Sequence, residues 1–386
     1  MSKPKIRFKG YEEDWEQRKV KEFAIESEVK GHSGKDAKKL TVKLHNKGVY
    51  VADEKIQGSD NTQYYIRRAG QFIYGKQNFF NGAIGIVPKK LDKYESTKDV
   101  PAFDVSSDVN VDWLYYYIAR PEIYKPQEAL CTGTGSKRFH VNNFYNLSLA
   151  IPKMDEQIKI KEYFVHLDNL ITLHQRKCEE TKKLKKYMLQ KMFPQNGHSV
   201  PEIRFSGFTE DWEQRKFADF TWDAGKRNKE DLDLEPYAIT NEHGFIRQRD
   251  AHDDFGYMKD TDRKAYNIVQ PNSFAYNPAR INVGSIGYYK GVENVIVSSL
   301  YEVFQTDNYV NDRFLWHWLK SDEFPRWIEK LQEGSVRLYF YYDKLCECQL
   351  YMPSLEEQEK IATFLDDLDH LITLHHRKYM KYADLS

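Results

Sequence analysis

One segment occurs twice in this chain, and this repeat constrains the fold more than any other feature. Residues 4–19 read PKIRFKGYEEDWEQRK and residues 201–216 read PEIRFSGFTEDWEQRK, with 12 of 16 positions identical. A second repeat pairs IPKMDEQIKIKEYFVHLDNLITLHQRK at 151–177 with MPSLEEQEKIATFLDDLDHLITLHHRK at 352–378. Such long-period repeats predict two copies of one structural unit, each with a shared opening segment, a variable middle and a shared end.

The shared end of each copy has the periodicity of a long helix. Apolar residues and one histidine recur in steps of four and three, at Ile160, Phe164, Leu167, Ile171 and His174 in the first copy, and at Ile361, Leu365, Leu368, Ile372 and His375 in the second. These steps form a single stripe, which is typical of helices that pack side by side. We predict that the two helices pair antiparallel; the alternative is that each helix packs only on its own domain.

The variable middles carry short β-type runs separated by Gly, Asn and Pro, followed by helical patches such as VDWLYYYIARPEIY at 111–124. This mixture predicts an α+β fold: two similar mixed α/β domains separated by two long antiparallel coiled-coil helices, with an internal pseudo-twofold duplication. The expected segments are a first domain over 1–150, a first helix and linker over 151–199, a second domain over 200–351 and a second helix over 352–386.

The overall net charge of zero conceals two halves of opposite sign. Residues 1–199 hold 35 basic and 25 acidic residues, a net charge of +10, whereas residues 200–386 hold 23 and 33, a net charge of −10. Binding to nucleic acid is therefore plausible for the first half, whereas the second half would need a local basic patch.

The location of the protein is constrained by what its sequence lacks. No apolar run approaches the ~20 residues that a membrane-spanning helix needs, and the opening MSKPKIRFKG lacks the apolar region of a secretory signal. The four cysteines form no C-x-x-C pair. We expect no metal site, no membrane association and a reducing, cytoplasmic location.

The motifs that could carry catalysis are incomplete. TGTGSKRF at 132–139 lacks the Lys-Ser/Thr ending of a phosphate loop, and NPAR at 277–280 lacks the second proline and the aromatic residue of adenine methyltransferases. HDD at 252–254 reads as solvated surface, and His174 and His375 as polar residues that set helix register. No nucleophile and base can be paired, so we predict no catalytic residue.

Basic and amide side chains among aromatic residues recur at matching places in both middles. Arg and Lys suit phosphates and guanine, and Asn pairs with adenine. Glycines near these residues are expected to let the backbone approach a duplex. The predicted DNA-contacting residues are Arg67, Arg68, Lys76, Asn78, Ser136, Lys137, Arg138, Asn277, Arg280, Asn282, Lys290, Ser335 and Arg337. The tetrads Gly135–Arg138 and Gly334–Arg337 are taken as equivalent.

Over nearly its whole length the chain resembles the specificity subunits of bacterial type I restriction–modification enzymes. The resemblance rests on the paired DWEQRK segments, the paired Pro-x-x-x-Glu-Gln helix starts at 152–157 and 353–358, and the paired LITLH helices. It implies two target-recognition domains that each read one half of a bipartite, asymmetric site in double-stranded DNA, and two helices that set the gap and dock partners. The implied partners are two modification (methyltransferase) subunits and two restriction (motor–nuclease) subunits. They would use S-adenosylmethionine, ATP and Mg, while this non-catalytic chain binds no cofactor.

Two other classes of function remain open. One is a non-catalytic scaffold or adaptor whose twin domains bind protein and whose coiled coil dimerises; the other is an enzyme in its own right. Adjacent genes for a methyltransferase and a helicase–nuclease would favour the restriction–modification interpretation. The second helix lacks a counterpart of YMLQKMF at 187–193, which we expect to weaken the spacer.

Overall fold

The computed structural model describes residues 4, 6–53, 59–133, 136–195, 197–241, 244–251, 263–334 and 338–385. The chain divides into two compact units, Met1–Ile171 with Tyr382–Ser386, and Thr172–Lys381. The division falls inside the first long helix, so the second unit contains the C-terminal part of that helix as well as its own domain.

The first half combines short strands with helices of mixed length. Its strands are β1 Glu16–Lys19, β2 Ala24–Glu26, β3 Lys30–Ser33, β4 Leu40–Val42, β5 Val49–Val51, β6 Gln63–Ile66, β7 Phe72–Tyr74, β8 Ile84–Ile86, β9 Glu95–Ser96, β10 Ala102–Val105 and β11 Ser148–Ile151. Its α-helices are α1 Val111–Ile118, α2 Pro121–Tyr124, α3 Val141–Asn146 and α4 Met154–Lys191. Its 3₁₀ helices are Val20–Glu22, Lys76–Asn81, Lys89–Leu91 and Lys125–Leu130.

The second half repeats this order with local changes. Its strands are β12 Glu213–Lys216, β13 Thr221–Asp223, β14 Lys226–Arg227, β15 Pro236–Thr240, β16 Gly244–Arg247, β17 Asn267–Val269, β18 Phe274–Tyr276, β19 Ile286–Tyr288, β20 Val295–Val297, β21 Glu302–Thr306 and β22 Gln349–Met352. Its α-helices are α5 Gln248–Ala251, α6 Asp312–Leu319, α7 Glu323–Leu331, α8 Tyr342–Glu347 and α9 Leu355–Ala383. Described 3₁₀ helices are Phe217–Asp219, Arg263–Ala265 and Ile281–Val283.

The central sheets of the two halves have the same topology. One four-stranded sheet has the order β2-β10-β7-β8 and the other β13-β21-β18-β19, and every described pairing in them is antiparallel. A three-stranded sheet (β3-β6-β9) and a hairpin (β4-β5) flank the first, whereas a five-stranded sheet (β14-β17-β20-β15-β16) flanks the second. The duplication inferred from the sequence is therefore present in the fold, and the halves differ mainly in the flanking strands.

The repeated opening segment forms an edge strand that closes each domain. β1 pairs antiparallel with β11, with Glu16 opposite Ile151, and β12 pairs with β22, with Glu213 opposite Met352. The chain therefore enters and leaves each domain through neighbouring strands, immediately before the long helix begins.

A buried ion pair joins the opening segment to the start of each long helix. Arg7 binds both carboxylate oxygens of Glu156 at 2.7 Å, and Arg204 binds those of Glu357 at 2.7 and 2.8 Å. Glu156 is 2% exposed and Glu357 is 1% exposed. The Arg of the opening segment and the Glu of the Pro-x-x-x-Glu-Gln motif occur together because each satisfies the charge of the other.

The glutamine of the same motif holds the first helix of the domain. Oε1 of Gln157 accepts the amide of Asn110 at 2.7 Å, and Oε1 of Gln358 accepts the amide of Asn311 at 2.8 Å. The side chains of both asparagines cap α1 and α6 by accepting amides of the first turn. Each long helix is thus tied to its own domain by polar bonds at fixed positions.

Each long helix packs on its own domain along one part of its length and against the other long helix along another part. Ile160 packs on the core of the first domain, whereas Ile361, Leu365 and Leu368 lie within the core of the second. Further along, Nδ1 of His174 lies 3.0 Å from Nδ1 of His375. All ten predicted stripe residues are buried or half-buried.

The two helices run antiparallel where they meet in the second unit. Cys178 Sγ lies 3.8 Å from the Ile372 carbonyl, and Lys185 Nζ lies 2.5 Å from Asp369. As the numbering rises along α4 it falls along α9, which confirms the predicted orientation. Among the described helices, none is long and apolar enough to cross a membrane.

Candidate nucleic-acid interface

Two loops come together at equivalent places in the two domains. After β7 the chain forms the 3₁₀ helix Lys76–Asn81, which ends at Gly82 with φ +71°; after β18 it forms Ile281–Val283, which ends at Gly284 with φ +91°. Positive φ is the conformation that favours glycine. We call the loop 76–81 together with residues 131–133 and 136–138 the first loop pair, and the loop 277–283 together with residues 333–334 and 338–341 the second loop pair.

Backbone hydrogen bonds fix the second loop of each pair beside the first. The amide of Phe139 donates to the Lys76 carbonyl at 2.8 Å, and the amide of Phe340 donates to the Pro278 carbonyl at 3.1 Å. Both phenylalanines are fully buried. The exposed residues around them are therefore presented on a rigid base, as a recognition surface requires.

This geometry corrects the alignment of the two Gly-Ser-x-Arg tetrads. The bridge between Thr132 and Arg138 corresponds to the bridge between Glu333 and Tyr339, and Gly133 (φ +124°) corresponds to Gly334 (φ +125°). Arg138 is therefore equivalent to Tyr339, and the tetrads at Gly135 and Gly334 are out of register. The predicted contacts Ser335 and Arg337 lie outside the described residues.

The first loop pair gathers five of the predicted residues, Lys76, Asn78, Ser136, Lys137 and Arg138. Lys137 bonds Glu128 at 2.8 Å and Arg138 approaches Asp99 at 3.3 Å, both at exposed positions. Exposed ion pairs contribute little to stability, so phosphate oxygens can replace these carboxylates. Burial lowers the pKa of Lys76, and Gln77 bonds the Ser136 hydroxyl across the two loops.

The second loop pair gathers Asn277, Arg280 and Asn282 around a groove of about 740 Å³. Leu338, Tyr339 and Tyr341 line the same groove. The rings of the two tyrosines stack at 5.5 Å with an angle of 3° between planes, which presents flat apolar faces beside the amide and guanidinium groups. Sequence reasoning missed both tyrosines, although the offset of 201 that relates Phe139 to Phe340 could have located them.

Arg67 was predicted to contact DNA, and that prediction is wrong for this conformation. Its side chain is 1% exposed. Its guanidinium donates to the Ser96 hydroxyl at 2.7 Å and to the carbonyls of Ser27 and Val100 at 2.7 and 3.1 Å. Burial lowers its pKa. These bonds make Arg67 an internal support for the strands, so it cannot reach a duplex.

Two other predicted residues lie apart from the loop pairs. Arg68 is exposed at the turn before β7 and bonds Asp104 at 2.8 Å. Lys290 lines a different groove, beside Arg313 and Trp316, and burial lowers its pKa. The structure thus brings eight of the thirteen predicted residues into the two loop pairs.

The glycines in these runs serve packing rather than approach to a ligand. A Cβ on Gly85 would lie 2.8 Å from the Val49 side chain, and one on Gly287 would lie 2.7 Å from the ring of Phe245. A larger residue could not occupy either position without displacing its neighbour. β5 can therefore pack against β8, and β16 against β19, because a glycine lies at each contact. The expectation that these glycines admit a duplex is therefore wrong for Gly85 and Gly287.

One cluster in the described part of the chain has metal-ligand types, namely His317, Asp366 and Asp369. Arg313 Nε donates to Asp366 at 2.9 Å, and Nε2 of the fully buried His317 lies 2.8 Å from the same carboxylate. Burial raises the pKa of Asp366, but the bonds from His317 and Arg313 outweigh it and hold that pKa below its usual range. Because Lys185 also binds Asp369, both carboxylates already have cationic partners: Asp366 holds α6 against α9, and Asp369 holds α4 against α9.

Comparisons with known proteins define the class to which this architecture belongs. Residues 209–381 match the family model of the type I restriction modification DNA specificity domain. The type I restriction enzyme MjaVIII specificity subunit of Methanocaldococcus jannaschii is 23% identical over 359 residues, which cover 86% of this chain and 76% of that protein. Residues 209–381 are therefore similar to the type I specificity domain, and the first half repeats the sheet topology of this region.

Solved structures share the fold over almost the whole chain. The type I restriction–modification S subunit of M. genitalium has a TM-score of 0.58 and 12% identity, covering 98% of this chain and 96% of its own. A chain from a structure describing complex assembly and conformational transition of the type I R-M system has a TM-score of 0.50 and 15% identity, with coverage of 96% and 94%. The fold of this chain, with its two domains and two long helices, is therefore shared with these proteins.

Proposed function

We propose that this chain is a type I restriction–modification specificity subunit that reads a bipartite, asymmetric site in double-stranded DNA, with one domain on each half-site. The observation that carries the proposal is the duplicated unit of one domain and one long helix, with a loop pair at the same place in each domain. The loop pairs differ in side chains: the first is mainly basic, whereas the second presents Arg280 beside two tyrosines. Different side chains at equivalent positions would select different bases, so the two half-sites would differ.

The paired helices are proposed to set the gap between the half-sites. Two recognition elements meet the same face of a duplex when their half-sites are about one helical turn, roughly 34 Å, apart. A helix of 38 residues, α4, spans roughly 57 Å at 1.5 Å per residue, which is long enough to fix such a distance. The helices also offer exposed faces for partner subunits.

The proposed partners are two modification subunits, which methylate adenine, and two restriction subunits with motor and nuclease activities. S-adenosylmethionine, ATP and Mg would be bound by those partners and not by this non-catalytic chain. The proposal places the complex in the cytoplasm, where it meets the chromosome.

The decisive experiment maps adenine methylation across the genome of cells that express this chain with its modification subunit. We expect a bipartite motif with a constant gap, and we expect loss of that motif when either domain is deleted. A motif without a gap, or one that survives deletion of residues 20–146, would contradict readout by two domains. A control strain with the modification subunit alone should show no such motif.

A further inference from the structure

A concentration of positive charge lies in the second compact unit, which contains the otherwise acidic second domain. Lys182, Lys185, Lys186 and Lys320 line a groove of about 440 Å³. Lys290, Arg313 and Arg377 line an adjoining groove of about 390 Å³. Trp316 and Asp369 line both, so the two form one continuous surface. We call this surface the basic groove.

The sequence spacing explains the first part of the basic groove. Lys182, Lys185 and Lys186 lie three and four positions apart on α4, and such residues share one face of a helix. The second unit contains this end of α4. These lysines belong to the first half of the sequence, but they supply the local basic patch that the acidic second half lacks.

The carboxylates in the basic groove do not neutralise it. Asp369 is bound by Lys185 at 2.5 Å, and Asp366 by Arg313. Lys320 and Lys186 have no ion-pair partner within the described part of the chain, and Nζ of Lys320 lies 4.6 Å from the centre of the Trp316 ring. Burial and the positive charge of Lys185 both lower the pKa of Lys320, so these two lysines are close enough to repel each other.

The basic groove adjoins the second loop pair. Asn241 and Gly244 line it, and a Cβ built on Gly284 would lie 4.0 Å from Cβ of Asn241. Gly284 ends the 3₁₀ helix that follows Arg280. The basic groove and the second loop pair are therefore neighbours within the second unit.

We propose that the basic groove binds phosphodiester groups of duplex DNA through Lys182, Lys186 and Lys320. The inference rests on the proposed DNA-reading function and adds a sequence-independent site to it. Lysine and arginine contacts to phosphate fix the position of a protein on a duplex and carry no base information. An acidic segment of a partner protein is the other ligand with suitable charge, but the continuity with the second loop pair favours DNA.

The test uses the chain assembled with its modification subunits and a duplex of about 30 base pairs of arbitrary sequence. Lys182→Gln/Lys186→Gln removes two cations from the basic groove, and Lys177→Gln/Lys183→Gln removes two exposed lysines from the same helix that do not line it. Dissociation constants are measured by fluorescence anisotropy from about 50 to 200 mM salt. Each phosphate contact contributes about 0.9 to the slope of log K against log salt, so the groove variant should lose about 1.8.

In practical terms, the loss of affinity between those salt concentrations should be about tenfold smaller for the groove variant than for the wild type. The control should keep the wild-type slope, and the methylation motif should be the same in all three proteins. An unchanged slope in the groove variant overturns the proposal, as does an equal change in both variants. Failure of the groove variant to assemble with the modification subunits would instead assign the groove to protein docking. If the wild-type assembly itself binds no duplex, the proposed function fails first.

Discussion

At the scale of single residues, Glu357 carries a buried charge that Arg204 satisfies by a bidentate pair. Changing Glu357 to Ala leaves the guanidinium of Arg204, 15% exposed, without its partner. Breaking a buried ion pair from one side typically costs about 3 kcal/mol or more. We expect the free energy of unfolding of the second domain to fall by about that amount, measured by urea unfolding followed by tryptophan fluorescence.

The neighbouring residue provides the control for this prediction. Glu356 pairs with Lys360 at 3.0 Å, and both side chains are more than half exposed. Glu356→Ala should cost less than about 1 kcal/mol, because exposed pairs contribute little. Equal losses in the two variants would show that the buried pair has no special role.

Arg280 is the residue through which the second loop pair can be tested directly. It is exposed, follows Asn277 and lines the groove that holds the stacked tyrosines. Arg280→Ala should weaken binding to DNA that contains the recognised site by about 1–3 kcal/mol. Arg326→Ala, which removes an exposed arginine paired with Glu323, should leave affinity unchanged. If both variants bind like the wild type, Arg280 makes no DNA contact.

The sequence indicated which types of side chain could contact DNA, but it did not indicate which of them are exposed. Lys76, Arg138 and Arg280 lie in the loop pairs, although the tetrad match that singled out Arg138 was out of register, whereas Arg67 is buried. The letters Tyr-Tyr-Ile-Arg-Arg do not reveal which arginine faces inward, because that depends on the Ser96 hydroxyl and carbonyls of the neighbouring strands. The stacked tyrosines were not predicted, because the Gly-Ser-x-Arg match aligned the two halves two residues away from the alignment that the backbone shows.

At the scale of secondary-structure elements, the paired helices contain a pH-sensitive contact. Burial lowers the pKa of His174 and of His375 below the usual 6.5, and the charges of Lys177 and Lys378 lower both further. The unfolded chain therefore binds more protons than the folded chain below about pH 6.5, so stability falls as the pH falls. We expect the midpoint of urea unfolding to decrease between about pH 7.5 and pH 5.5.

The double variant His174→Gln/His375→Gln separates this contact from other titrating groups. Burial also lowers the pKa of His317, although its bond to Asp366 opposes the shift, and its contribution is common to both proteins. The variant should therefore show a weaker loss of stability over the same pH range. An identical pH dependence in the variant and the wild type would mean that the histidine pair does not titrate with unfolding.

The elements themselves were largely predictable, whereas their partners were not. The steps of three and four residues located α4 and α9, and the short β-type runs of the variable middles indicated that strands form there. The sequence does not show that the apolar stripe of α9 contacts two different partners. Ile361 lies in the core of the second domain, whereas His375 lies against α4. That division depends on where each domain ends along its helix, which periodicity alone does not encode.

For the whole molecule, the proposed spacing of half-sites can be changed by lengthening both helices together. A heptad inserted after Arg176 and another after Leu374 add about 10.5 Å each while they keep the stripe in register. Since base pairs are about 3.4 Å apart, we expect the gap in the methylated motif to lengthen by about three base pairs. The half-site sequences should not change.

A heptad inserted in the linker after Gln195 is the matched control. It adds the same number of residues without lengthening either helix, so the motif should keep its original gap. A gap that stays constant with the longer helices, in a complex that still methylates DNA, would show that the helices do not set the distance.

The pairing of β1 with β11, and of β12 with β22, has a consequence for how such proteins change over generations. Both ends of each domain lie on neighbouring strands, and the segments that flank it repeat elsewhere in the chain. A recombination event with one crossover near DWEQRK and the other before the long helix would therefore transplant a complete folding unit and preserve its Arg–Glu–Gln bonds. Inheritance can then replace one half of the recognised sequence in a single step, without passing through a misfolded intermediate.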